Sequence, residues 1–173
     1  MSLRLELVVG DITTLDDDAV VNAANSGLGG GGGVDGAIHC AAGPELAVAS
    51  RALAPCPAGD AVITPGFRLR ARHVIHAVGP VWSGGGRGEE QVLASCYTRS
   101  VELAGAAGLA SIAFPCISTG VFGFPRDRAP AIAIDAVTSS AVGWPSIEHV
   151  VFCCHSEADA ALYRALLPEA DPA

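Results

Sequence analysis

Ala19-Val20-Val21-Asn22-Ala23-Ala24-Asn25-Ser26-Gly27-Leu28-Gly29-Gly30-Gly31-Gly32-Gly33-Val34-Asp35-Gly36-Ala37-Ile38-His39-Cys40-Ala41-Ala42 is the stretch on which the reading of this chain turns. Ala19 to Ala23 is a short β-branched run that predicts a strand buried on both faces. Ser26 to Gly33 holds six glycines in eight residues and cannot be regular structure. Val34 to Ala42 then resumes with helix-forming residues and stops at Gly43-Pro44. Strand, glycine loop and helix in that order are the opening of an α/β unit.

Outward from this stretch the same alternation continues. Leu3 to Val9 predicts an opening strand, closed by Gly10-Asp11. A helix is expected over Pro44 to Leu53, a turn over Pro55 to Gly59, and strands over Ala61 to Thr64 and His73 to Val78. Gly84 to Gly88 reads as a loop. Glu89 to Ala107 carries Val92, Leu93, Cys96, Val101 and Leu103 at helical spacing. Ile112 to Cys116 predicts a strand, Ile117 to Pro125 a loop, Arg128 to Val142 a helix, His149 to Cys154 a strand and Glu157 to Leu167 a last helix. The expected fold is a three-layer α/β/α domain with a mixed, largely parallel central sheet, spanning residues 1–173 as one unit with a loose tail from Pro168 to Ala173.

Composition narrows the chemistry. The 173 residues include 18 acidic and 10 basic side chains, a net charge of −8, and 50% apolar residues, enough for one core. All ten basic residues are arginine. The absence of lysine removes a Walker phosphate loop, a Schiff-base enzyme and a kinase-type lysine. The negative balance argues against binding duplex nucleic acid through a basic face. Leu103 to Pro125 runs 23 residues without a formal charge, but its two prolines and four glycines read as helix end, strand and loop rather than a membrane span. The start lacks the apolar block of a signal peptide. The six cysteines form no C-x-x-C pair, and His73 and His76 on one strand point to opposite faces, so no metal site is expected. Reduced cysteines fit a cytoplasmic protein. Exposed acids on several helices make a monomer the expected state.

Two loops follow buried strands, where open α/β sheets bind their ligands. In the first, glycines 29 to 33 let backbone N–H groups approach a ligand, and the helix starting near Val34 aims its positive end at the same place; a phosphate or pyrophosphate is the natural occupant, and a merely flexible loop is the alternative. The second, Ile117-Ser118-Thr119-Gly120-Val121-Phe122-Gly123-Phe124, repeats the design with hydroxyls and glycines and no charge. Two such loops would grip a diphosphate with backbone donors, which suits a chain without lysine. Asp35, at the helix N-terminus, either complements the helix dipole or orients a water or a ribose hydroxyl. His39 lies one turn further on the same face and either reaches that cavity or is a satisfied helix histidine. Asn22 and Asn25 suit ribose hydroxyls and equally suit capping of the loop backbone. Asp11 either accepts from an exocyclic amine or caps the turn at Thr13-Thr14.

Gly10-Asp11-Ile12-Thr13, Val21 to Asn25, Gly30 to His39, Val78-Gly79-Pro80-Val81-Trp82 and Ile117 to Pro125 together resemble the macrodomain family, in its MacroD-like branch. The resemblance runs in order from residue 8 to about residue 167. It implies a cleft for ADP-ribose and no further cofactor. Asp11 would take the adenine amine with Ile12 beside it. Gly31, Gly32, Gly33 and Val34 would wrap the diphosphate with Ser118, Thr119, Gly120 and Val121. Asn22, Asn25 and Asp35 would serve the distal ribose, with His39 next to Asp35 and Phe122 packed on the sugar. The implied activity is hydrolysis of ADP-ribose esters, on acidic side chains of mono-ADP-ribosylated proteins or on acetate. Asp35, Asn25 and His39 would carry it without a metal.

Two departures stand out. His155 falls where members of this branch resemble one another in carrying Tyr or Phe against the adenine, and Gly29 where a larger apolar residue is usual, which would loosen the first loop. The helix after Gly43 is also short. Two other readings remain at this point: a reader that binds ADP-ribose without cleaving it, and an unrelated Rossmann-type nucleotide site. The second lacks the G-x-G-x-x-G context with an acid about 20 residues on.

Overall fold

Alternation along the strand Ala19–Ala24 places Val20 and Val21 on opposite faces of a sheet, and both are buried, so each face needs its own helical cover. The computed structural model describes residues 2–167; the expected tail lies outside them. Its six strands are β1 (Arg4–Val9), β2 (Ala19–Ala24), β3 (Ala61–Pro65), β4 (His73–Val78), β5 (Ser111–Phe114) and β6 (His149–Cys154). They form one sheet in the order β1-β6-β5-β2-β4-β3. All neighbours pair in parallel except β3, which runs antiparallel to β4 at the edge.

One face packs Val21, Ile75, Ile112, Phe114, Val150 and Phe152 against α3 (Glu89–Ala106), α4 (Ala129–Ala141) and α5 (Glu157–Arg164). The other packs Val20, Val74, Ala113 and Val151 against α1 (Gly33–Ala42) and α2 (Glu45–Arg51). This is the expected α/β/α layering, and each large apolar side chain buried in it contributes roughly 1.5–3 kcal/mol. Asp18 fixes where β2 begins. Its carboxylate accepts from the Ala110 and Ser111 amides at 2.8 and 3.2 Å and from Arg72 at 2.7 Å. Burial pushes that carboxyl up, but these donors outweigh it and hold it below its ordinary range.

The structure redraws some of the expected elements. β5 ends at Phe114 rather than Cys116, because Pro115 has no N–H for the ladder. Pro44 precedes α2, which ends at Arg51, two residues early. Asp11 caps a single 3-10 turn, Ile12–Thr14, where only a turn was expected. The uncharged run 103–125 divides into the end of α3, β5 and a loop, and no helix among the described residues is long and apolar enough to cross a membrane.

Candidate functional site

Five strands point the same way, so their carboxyl ends share one edge of the sheet, and the candidate residues lie just beyond that edge or on the helix that follows, except Asn22, which stands on β2 itself. Asp11 follows β1, Asn25 and the glycine loop follow β2, Gly79 follows β4, Ser118 to Phe122 follow β5 and His155 follows β6. Neighbouring loops are tied together: Gly10 N–H donates to the Cys154 carbonyl at 3.0 Å, and Trp82 N–H to the Phe122 carbonyl at 2.8 Å.

At the β1 end, Asp11 Oδ1 accepts from both the hydroxyl and the amide of Thr13, at 2.7 and 2.9 Å. These bonds hold its carboxyl below the ordinary range, and nearby His155 lowers it further. Among the described residues no such bond reaches Oδ2, which leaves it to accept a donor. Ile12 is buried beneath it, and His155 is exposed.

Gly31, Gly32 and Gly33 are exposed, and α1 begins at Gly33 with no side chain capping it, so its first amides stay available to an anion. Asn25 Nδ2 donates to the Gly30 carbonyl at 3.1 Å, so this asparagine does brace the loop backbone. Gly29 leaves room for the guanidinium of Arg51, which donates to the Gly29 carbonyl at 3.2 Å; the glycine expected to loosen the loop is bridged from α2. Across the cleft, Ser118 has a left-handed backbone (φ 66°), and its buried hydroxyl has no partner among the described residues. Thr119 donates to the Cys116 carbonyl, Gly120 is open, Val121 is fully exposed and Phe122 is half-buried. A groove of about 570 Å³, lined by Thr119, Phe124, Pro125, Arg126, Ala158 and Leu162, runs between this loop and α5, which starts two residues after His155.

Asp35, on α1 beside the glycine loop, is buried (5% exposed). Its Oδ1 accepts from Asn22 Nδ2 at 2.8 Å and lies 3.4 Å from His39 Nε2. Its Oδ2 faces Gly31, where a Cβ would come within 3.1 Å. Asp35, His39, Asn22 and the Gly30–Gly31 backbone thus meet in one place, with Asn25 against the loop. Asn22 is fully buried behind Asp35 rather than open to the loop surface.

Sequence reading passed over several residues. His76 entered it only as half of an improbable metal pair, yet it contacts Asn22 at 3.2 Å and Thr64 at 3.0 Å. Gly36 is invisible as a site residue, although a Cβ there would strike the Gly31 carbonyl at 2.5 Å. Glu89 accepts from the amides of Ser83, Gly85 and Arg87 at 2.9, 2.8 and 2.6 Å and shapes the loop before α3. Two acids opening a helix were the available signal there. His73 points away from His76, and among the described residues no three His, Cys, Asp or Glu side chains are grouped to hold a metal.

A buried carboxylate beside a glycine loop, with a second uncharged loop at the same carboxyl edge of a largely parallel sheet, is macrodomain architecture, and the comparisons agree. The Macro domain family model matches residues 21–133. A macro domain-containing protein of Mesorhizobium japonicum is 56% identical over 160 residues, covering 92% of this chain and 91% of that protein. An O-acetyl-ADP-ribose deacetylase of Klebsiella pneumoniae is 52% identical over 171 residues, covering 96% and 98%. The macrodomain of Oceanobacillus iheyensis, as a single-residue mutant with ADP-ribose, superposes with a TM-score of 0.88 at 43% identity, covering 93% of this chain and 90% of that one. The Trypanosoma brucei macrodomain in complex with ADP-ribose gives 0.89 at 38% identity, covering 95% and 69%. The chain belongs to the macrodomain family.

Proposed function

We propose that this macrodomain binds ADP-ribose along the carboxyl edge of its sheet and hydrolyses esters of the distal ribose, both O-acetyl-ADP-ribose and ADP-ribose on acidic side chains of proteins. The observation that carries the reading is Asp35: a buried carboxylate anchored at Oδ1, with Oδ2 turned toward the glycine loop. A module that only reads ADP-ribose needs the loops but no such group. The deacetylase name of relatives about 50% identical supports the same reading.

Asp11 takes the exocyclic amine of adenine through its free oxygen, with Ile12 beneath the base and His155 stacked on it. Gly31 to Val34 and Ser118 to Val121 supply amides to the diphosphate, a use that fits a chain of net charge −8 lacking lysine. Phe122 packs on the distal ribose, and Asn25 and Asp35 hold that sugar and a water. Asn22 and His39 keep Asp35 in place from behind and beside. The water adds to the ester carbonyl and gives its proton to a phosphate oxygen of the substrate. The ester bond then breaks, the ribose oxygen takes a proton back, and a carboxylic acid and ADP-ribose leave. Positioning of this kind is worth several powers of ten in rate. Residues 1–173 act as one unit, and six free thiols suit the reducing cytoplasm.

The test is release of free ADP-ribose from O-acetyl-ADP-ribose and from a glutamate-linked mono-ADP-ribosylated protein, beside Asp35→Ala and Asn25→Ala, with ADP-ribose binding followed by calorimetry. Release by the wild type, its loss in both variants and binding retained in both are expected. Chelators are expected to leave the rate unchanged. Tight binding with no release by the wild type would make the protein a reader.

A further inference from the structure

A line of polar side chains crosses the α1 face of the sheet from its edge to Asp35. Asn22 and His76 are direct partners in the β2–β4 register, and Thr64 stands on β3 beyond them. All three are buried, Asn22 and His76 completely. Buried polar groups in a row must agree on who donates, and here the agreement has one solution. The Thr64 hydroxyl gives its proton to the Pro65 carbonyl at 3.1 Å. Its oxygen therefore accepts from His76 Nε2–H at 3.0 Å. His76 Nδ1 is then a bare lone pair and accepts from Asn22 Nδ2 at 3.2 Å. The second hydrogen of the same Nδ2 goes to Asp35 Oδ1 at 2.8 Å. Rotating the Asn22 amide by half a turn would set its oxygen against the carboxylate. Both hydrogens of Asn22 are thus fixed from opposite sides, by a histidine and by Asp35.

We propose that His76 is a positioning residue of the hydrolytic site: as its Nε2–H tautomer, set by Thr64, it locks the Asn22 amide, and the locked amide holds Asp35 with Oδ2 aimed into the cleft. The proposal rests on the reading of Asp35 as the group that orients the attacking water. His76 touches none of the reacting atoms. The groups facing it are Asn22 from β2, Thr64 from β3, and His39 with Asp35 from α1; the His39 ring centroid lies 6.2 Å away. Burial, and then His39, push His76 down to about 4, so the neutral ring that the line requires is the form present at neutral pH. A protonated ring would turn an N–H against the N–H of Asn22 and break the line.

Thr64 offers the cleanest perturbation, because it lies two side chains away from Asp35 and reaches no part of the cleft. Thr64→Val keeps the shape and removes the acceptor for Nε2–H, which shifts His76 toward the Nδ1–H tautomer and frees the Asn22 amide. Thr64→Ser keeps the hydroxyl. Long-range 1H–15N spectra report the tautomer, steady-state kinetics on O-acetyl-ADP-ribose give kcat and KM, and calorimetry gives the ADP-ribose Kd. The wild type and Thr64→Ser are expected to show the Nε2–H tautomer and similar kcat. Thr64→Val is expected to lose that tautomer and about 10- to 100-fold in kcat, with KM and Kd within about threefold, as a displaced catalytic group loses rate before binding. His76→Leu, where it folds, is expected to match Thr64→Val. A kcat for Thr64→Val equal to wild type, or an Nδ1–H tautomer in the wild type, overturns the positioning role alone. A wild type that binds ADP-ribose and releases nothing overturns the hydrolase reading and this role together.

Discussion

Ser118 Oγ occupies the place a side chain on Gly79 would need: a Cβ built on Gly79 falls 2.1 Å from that oxygen and 2.7 Å from Ile117 Cγ2. The loop after β4 and the loop after β5 are therefore fitted to one another, and the left-handed Ser118 backbone is seated against bare glycine. Gly79→Ala is expected to push Ser118 out of that seat, cost about 1–3 kcal/mol of stability and weaken ADP-ribose binding. Gly120, with nothing within 4 Å, is the contrast: Gly120→Ala is expected to leave thermal unfolding unchanged and to weaken binding only. Thermal melts and calorimetry on the two variants separate a seat for the loop from a surface for the ligand.

Arg51 makes a different kind of contact, since its guanidinium lies over Gly29 and donates to that carbonyl from an exposed position. An exposed hydrogen bond of this kind is worth about 1 kcal/mol at most, so Arg51→Ala is expected to leave the global melt almost unchanged. The loop itself should open more often. Faster amide exchange confined to Gly29 to Gly32 is the expected result, and unchanged exchange there would show that Asn25 alone braces the loop.

How much of this was legible depends on distance along the chain. Strands such as β2 and β6 are written as mostly apolar runs, each with one polar residue, and α3 as an apolar stripe, because burial of a face dictates residue type locally. The loops announced themselves because five glycines, or Ser-Thr-Gly without charge, are poor structure and good ligand cradles. His76 did not, because its partners Asn22 and Thr64 are 54 and 12 residues away in sequence. A histidine in an apolar strand is ambiguous until the β2–β4 register sets Asn22 beside it. Arg51 and Gly29, 22 residues apart, were hidden for the same reason. Gly36 escaped because a helical glycine looks like an ordinary cost until the carbonyl of Gly31 is found where its side chain would be.

The thiols give a chemical check on the packing. Burial pushes the Cys56 thiol up, Cys96 to about 12 and Cys153 to about 11, while Cys116, hydrogen-bonded to Cys154, is also driven upward. Only the thiolate attacks an alkylating agent. The bond from Cys116 lowers Cys154, but that thiol is fully buried, so Cys40, exposed on α1, is the thiol expected to react first. One fast equivalent of iodoacetamide, abolished by Cys40→Ser, is the expected result. Hydrolysis should survive this alkylation, because Cys40 points away from the side of α1 that carries Asp35 and His39. Several fast equivalents in the native protein would mean a sheet more open than the one described.

Glu89 sets the acid limit of the loop before α3. The Ser83 amide, followed by those of Gly85 and Arg87, holds its carboxyl below the ordinary value of 4.5, against the opposing effect of burial. A carboxylate whose value is lower in the folded state stabilises that state above the unfolded value, and the contribution fades as pH falls through the folded one. The loop carries Trp82, which meets Phe124 edge-on at 5.0 Å and lies under Arg128 at 5.7 Å, so its fluorescence, read in a Trp144→Phe background, reports the loop. Glu89→Gln removes the charge at every pH and leaves one side-chain oxygen to accept where the carboxylate uses two. The variant is expected to show at pH 7 the Trp82 emission that the wild type reaches only on acidification below the ordinary carboxylate value of 4.5, with far-ultraviolet dichroism still native. Identical Trp82 emission in the two proteins between pH 7 and pH 4 would remove Glu89 from the control of this loop.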